Sequence, residues 1–117
     1  MGLFRRSSRR ARDATAPAGV SQKEARDATL AHLQEFTRTR VGVEAYVEPE
    51  TNVTPTTVML VATDGEWTRR RVPDVRTALA LARTLGIPVY DVQRTGYPQR
   101  VRDWNARQRI ERRRASS

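Results

Sequence analysis

The sequence predicts an α/β or α+β fold: a small three- to four-stranded sheet with a hairpin, two packing helices and a protruding basic C-terminal helix. Three observations carry this prediction. Residues 56–92, TTVMLVATDGEWTRRRVPDVRTALALARTLGIPVYDV, read as strand, tight Asp64-Gly65 turn, strand, helix, Gly86 stop and strand. Residues 42–49 alternate, with Val43, Ala45 and Val47 to one side and Glu44, Tyr46 and Glu48 to the other. Ser21 and Glu24 form a capping box at the head of an apolar-striped helix.

Taken in order, residues 1–19 hold Arg, Ser, Ala, Pro and Gly with little to bury, and are expected to be a disordered basic arm. Residues 20–105 are expected to form a single small α/β domain. Its first helix runs from Ser21 to near Arg40, with Val20 as the staple residue and Ala25, Ala28, Leu30, Leu33 and Phe36 as the stripe. Gly42 stands near its stop. After the strand at 42–49, residues 49–55 are a loop of turn formers.

Residues 57–63 and 66–72 are expected to pair through a two-residue type I′ turn at Asp64-Gly65. That register sets Ala62 opposite Trp67, Leu60 opposite Arg69 and Val58 opposite Arg71. The first of these strands is apolar on both faces, hence central. The second carries Arg69-Arg70-Arg71, hence an edge. Asp74 caps the next helix, striped by Val75, Ala78, Leu79, Ala82 and Leu85 and ended by Gly86 and Pro88. A short strand, 87–92, follows. The last helix is expected from Gln99 to about Arg112, docked by Val101 and Trp104, with residues 106–117 a basic helical tail.

Charge divides the chain. Of the 22 basic residues, 21 are Arg, and Lys23 is the one Lys. Residues 1–40 carry nine basic and four acidic groups, residues 41–92 five and seven, residues 93–117 eight and two. The excess of +9 therefore sits in the two ends, a pattern typical of interaction tails.

Several chemistries are excluded by residue type. With no Cys there is no disulfide, thiolate metal site or Cys nucleophile. His32 is the one histidine, and a lone helical His reads as a boundary residue. The glycines form neither G-x-G-x-x-G nor a P-loop, and Lys23 has no Tyr at hydride-transfer spacing. Glu44 and Glu48 share a strand face roughly 13 Å apart, beyond either glycosidase geometry. They read as surface charges opposite Arg69–Arg71. No apolar run is long enough for a membrane span, and no secretory signal opens the chain. A cytoplasmic, non-enzymatic protein without cofactor is the expectation.

The remaining candidates point to phosphate. Arg5, Arg6, Arg9, Arg10 and Arg12 at one end, and Arg107, Arg109, Arg112, Arg113 and Arg114 at the other, can neutralise a nucleic-acid backbone without reading sequence. Arg94, Tyr97 and Arg100, beside Tyr90, Asp91 and Gln99, join aromatic rings to guanidinium groups after the last strand, where α/β folds place ligands. Arg69 and Arg71 share a strand face that Arg70 opposes. A solvated edge and a packed turn are the plainer readings of these two clusters.

GVEAYVEP (42–49), DGEWTRRRVP (64–73), LGIPVYD (85–91) and GYPQR (96–100) together resemble a short actinobacterial protein family, over roughly residues 24–105. Some members carry an oxidoreductase label, so the resemblance implies a small oxidoreductase as one alternative. The residues themselves favour a nucleic-acid-binding accessory protein, associated with RNA or the ribosome. An adaptor for an acidic protein partner is the other alternative.

Overall fold

The structure, a computed structural model, describes residues 21–116. It is an α+β arrangement with the order α1 (Gln22–Thr39), β1 (Glu44–Glu48), β2 (Thr57–Val61), β3 (Trp67–Arg71), α2 (Val75–Leu85), β4 (Val89–Asp91), α3 (Val92–Thr95) and α4 (Gln99–Ala115). The basic arm expected at residues 1–19 lies outside the described residues.

Both long core helices start where local chemistry places them. The Ser21 hydroxyl accepts from the Glu24 amide while the Glu24 carboxylate accepts from the Ser21 amide, each at 3.0 Å, satisfying two donors that α1 leaves unpaired. Asp74 caps α2 through the Thr77 amide at 2.8 Å, and Gly86 ends it in the left-handed region at φ 70°.

The sheet order is β3-β2-β1-β4. β1 pairs antiparallel with β2 and parallel with β4, and β2 pairs antiparallel with β3. The edge position expected for the arginine-rich strand is therefore observed. Leu33 and Phe36 of α1 and Ala78 and Ala82 of α2 pack with Ala45, Val47, Val58 and Leu60 on one face of the sheet. On the opposite face Val101 of α4 packs with Tyr46, Met59 and Val61, with Trp67 against them. The two helix stripes are narrower than expected. Val75 and Leu79 are exposed, while Leu85 packs as expected and Leu81 joins it, because α2 presents its Ala78–Ala82 side for close approach to the sheet.

The hairpin corrects the expected register by one residue. Met59 faces Arg69 and Leu60 faces Thr68, while the Ala62 amide donates to the Glu66 carbonyl and the Ala62 carbonyl accepts from the Gly65 amide. The turn thus holds three residues, Thr63, Asp64 and Gly65, with Gly65 at φ 95° in the bulge position. Because side chains alternate, this slip moves Trp67, Arg69 and Arg71 onto the face of Met59 and Val61 and away from the α1/α2 core. His32 shows the reverse side: it bonds Thr68 Oγ1 at 2.7 Å and Arg70 at 3.2 Å, clamping α1 to β3.

Gly65 is also where α4 meets the hairpin. A Cβ there would stand 2.0 Å from the Arg100 carbonyl oxygen, whereas one on Gly86 would meet nothing within 4 Å. Both substitutions carry left-handed strain, about 1–2 kcal/mol for a residue with a Cβ, but only one adds a backbone clash. Gly65→Ala is expected to lower the melting temperature by well over twice the drop for Gly86→Ala, as read by thermal denaturation. Equal drops would mean that α4 is not seated on the turn.

Candidate nucleic-acid interface

The sheet face under α4 is a charged surface whose charges are paired internally. Glu48 ends β1 with its side chain only 12 % exposed. Its carboxylate accepts from Arg69 Nε at 2.7 Å and from an Arg69 terminal nitrogen at 2.8 Å, a bidentate fork. Thr57 Oγ1 donates to it at 2.7 Å, and the Tyr97 hydroxyl donates as well. Burial alone would push this carboxyl up. The bonds from Arg69, Tyr97 and Thr57, with the Arg69 charge, outweigh burial and hold it below the usual carboxylate range.

Glu44, four residues earlier on the same strand face, repeats the arrangement at lower burial. Arg100 donates to it at 2.7 Å and the Tyr46 hydroxyl at 3.0 Å. The Arg100 bond is the main reason its carboxyl lies below the ordinary value, against a smaller opposing effect of burial. Arg100 Nε also donates to the Ala62 carbonyl at 3.0 Å, tying the first turn of α4 to the end of β2. The two glutamates expected as surface charges are thus ion-pair partners of Arg69 and Arg100.

The sequence-predicted arginines therefore separate into groups. Arg69 and Arg100 are engaged by carboxylates. Arg71, at the end of β3, borders an open groove of about 420 Å³ between α1 and α2, apart from α4. Arg94 is exposed on α3. Arg107 donates to the Asp64 carbonyl at 2.7 Å and lies over Trp104, so it anchors α4 to the hairpin turn. Arg5, Arg6, Arg9, Arg10 and Arg12 lie outside the described residues.

Past that anchor, α4 changes character. Val101 is the residue it buries, Asn105 accepts from Trp67 Nε1 at 2.9 Å, and residues 109–115 are all exposed. The helix carries seven arginines against Asp103 and Glu111. Arg109, Arg112 and Arg114 make no side-chain hydrogen bond or ion pair with the described residues. Arg102, Arg109 and Arg113 recur at i, i+7 and i+11, which places them along one exposed stripe of α4. The helix continues without a break from Gln99 to Ala115, about 25 Å at 1.5 Å per residue.

Sequence reasoning missed three contacts, although Arg107 itself was among the expected phosphate ligands. Asn105 and Arg107 had no local signal, since their partners are about 40 residues away in the chain. Tyr46 alternates with the glutamates and was legible as a sheet-face residue, but its stacking on Tyr90 across the β1–β4 pair (centroids 5.4 Å apart) was not. Among the described residues no group of three His, Asp or Glu side chains is placed to hold a metal ion. No helix among them is long and apolar enough to cross a membrane. Compared with known protein families, curated proteins and solved structures, the chain matches none.

Two pH dependences follow, of the same sign but in different ranges. Glu48 has a folded pKa below its ordinary value, so its stabilisation is complete above the carboxylate range and is lost as pH falls through the folded value. Glu48→Gln is expected to cost about 1–3 kcal/mol at pH 7, the worth of bonds to a charged group, and to flatten the decline of melting temperature below pH 4.5. His32 is held below its ordinary value by burial, then by the charges of Arg70 and Arg40. Its neutral form accepts at Nδ1 from Arg70 and donates from Nε2 to Thr68. Stability is therefore expected to fall as pH drops from 7.5 to 5.5, and His32→Gln is expected to remove that part of the fall.

Proposed function

We propose that the protein is a nucleic-acid-binding accessory protein, with RNA, free or within the ribosome, as its target. The observation that carries this reading is the difference between the two arginine populations. Arg69 on β3 and Arg100 at the head of α4 are matched by Glu48 and Glu44, while Arg109, Arg112 and Arg114 stand on exposed helix and pair with no carboxylate among the described residues. Retaining unmatched like charges on one helix costs repulsion, about 0.2–0.5 kcal/mol for each i,i+4 pair. A polyanion relieves that repulsion and releases its own counterions in doing so.

The helix supplies geometry as well as charge. Its first two turns are fixed by Val101, the Arg100–Glu44 pair and the Trp67–Asn105 bond, so the exposed turns project in a set direction from the sheet. Contacts of this kind position a backbone and do not specify a base sequence. The Arg-rich residues 5–12 add phosphate ligands in the same sense.

Binding of a fluorescein-labelled RNA to the full chain, titrated at several salt concentrations, tests the reading. With six or more phosphate contacts, affinity is expected to fall about a thousandfold between 50 and 200 mM salt. Replacing Arg109, Arg112 and Arg114 by Gln is expected to reduce the slope of log K against log salt by about 2–3, roughly one per lost contact. No binding at low salt would overturn the proposal. A slope unchanged in the variant would remove α4 from it.

A further inference from the structure

Charge on α4 accounts for phosphate contact but leaves two exposed aromatic rings without a role. Tyr90 on β4 is 38 % exposed and Tyr97 is 41 % exposed, although both rings are held in place. Tyr90 stacks on Tyr46, which is itself buried and bonded to Glu44. Tyr97 is fixed by its hydroxyl on Glu48. Tyr46 and Glu48 are alternate residues of β1 on one face, which sets their Cα atoms about 7 Å apart. The two tyrosines therefore flank neighbouring positions of a single surface.

The electrostatics of that surface suit bases. Glu44 and Glu48 would repel a polyanion if unpaired, and Arg100 and Arg69 cancel them. What remains is an area close to neutral, with rigid π-faces, bordered by Arg94 on α3 and followed at once by α4. Stacking needs this combination: an aromatic face, little net charge under the base, and cations placed for the adjoining phosphates. A duplex keeps its bases within the helix and cannot offer their faces to two tyrosines.

We propose that Tyr90 and Tyr97 are a stacking site for unpaired bases, which makes single-stranded RNA the target class. This rests on the nucleic-acid reading above and adds to it which part of the nucleic acid meets the sheet. Phosphates belong to α4 and Arg94, and bases to the tyrosines. The site discriminates single strands from duplexes without choosing among bases, since every base has a π-face.

The full chain, with three fluorescein-labelled ten-nucleotide probes, separates the possibilities: a single-stranded RNA, the same strand with abasic sugars, and a duplex. The wild type is expected to prefer the single strand to both others. Tyr90→Ala is expected to weaken single-strand binding by about 5- to 150-fold, the range for removing an aromatic under a base, and to leave the abasic strand and the salt slope unchanged. Tyr90→Phe keeps the ring on Tyr46 and is expected to bind within about twofold of wild type, which separates loss of the stacking face from a folding artefact in Tyr90→Ala. Equal affinity for the normal and abasic strands, with a steep salt slope, overturns the stacking site and leaves the phosphate reading standing. No binding of any probe overturns both.

Discussion

The carboxylate of Glu48 is the point on which the α4 side of this protein depends. It gathers donors from Thr57 on β2, Arg69 on β3 and Tyr97 in the turn before α4, and so joins three strands to the chain that leads into the last helix. A carboxylate this buried is costly to desolvate, and it is stable there because several well-aligned donors reach it at once. Taking one partner away leaves the others facing an unsatisfied charge. The same bond set explains how a strand reading Trp-Thr-Arg-Arg-Arg survives in a sheet: Arg69 pairs with Glu48, Arg70 reaches His32, and the strand lies at the edge, where charge resists pairing with another chain.

Matching the sheet's arginines internally changes what the remaining ones mean. Against the sheet, Arg69 meets Glu48 across strands and Arg100 at the head of α4 meets Glu44. On the outer turns of α4, Arg109, Arg112, Arg113 and Arg114 stand with Glu111 as the one acidic residue among them. A composition bias toward arginine would load both regions alike; it would not match one and leave the other unmatched. The asymmetry is a property of where the glutamates fall, on β1 beneath the start of α4 and not beside its end.

Most of the architecture was legible because its signals are local. The capping box at Ser21, the Asp74 cap, the Gly86 stop and the β-alternation of residues 43–48 each act within four or five residues, and each appears where the sequence puts it. The hairpin shows the limit. Asp64-Gly65 marks a turn correctly, but that the turn holds three residues, with Gly65 close against the Arg100 carbonyl 35 positions away, is not written in the pair itself. That one residue decided which face received Trp67 and Arg69. The site was legible in the same uneven way. Its residue types and its rough location after β4 could be read, while the pairing of Arg69 and Arg100 with glutamates on β1 is a product of tertiary structure.

The basic end is therefore better understood as a mounted helix than as a tail. Gly65 permits the turn to approach α4, Arg107 spans back to the Asp64 carbonyl, and Trp67 holds Asn105 from the side. These contacts come from the hairpin, and the hairpin's own face is set by its three-residue turn. With the register one residue away, Trp67 would point toward α1 and α2, and α4 would lose the indole that steadies its second turn. The direction in which the outer arginines project is thus fixed by a turn in the middle of the chain. A rigid mount of this kind presents cations at constant spacing and loses less conformational freedom on meeting a ligand than a flexible segment would.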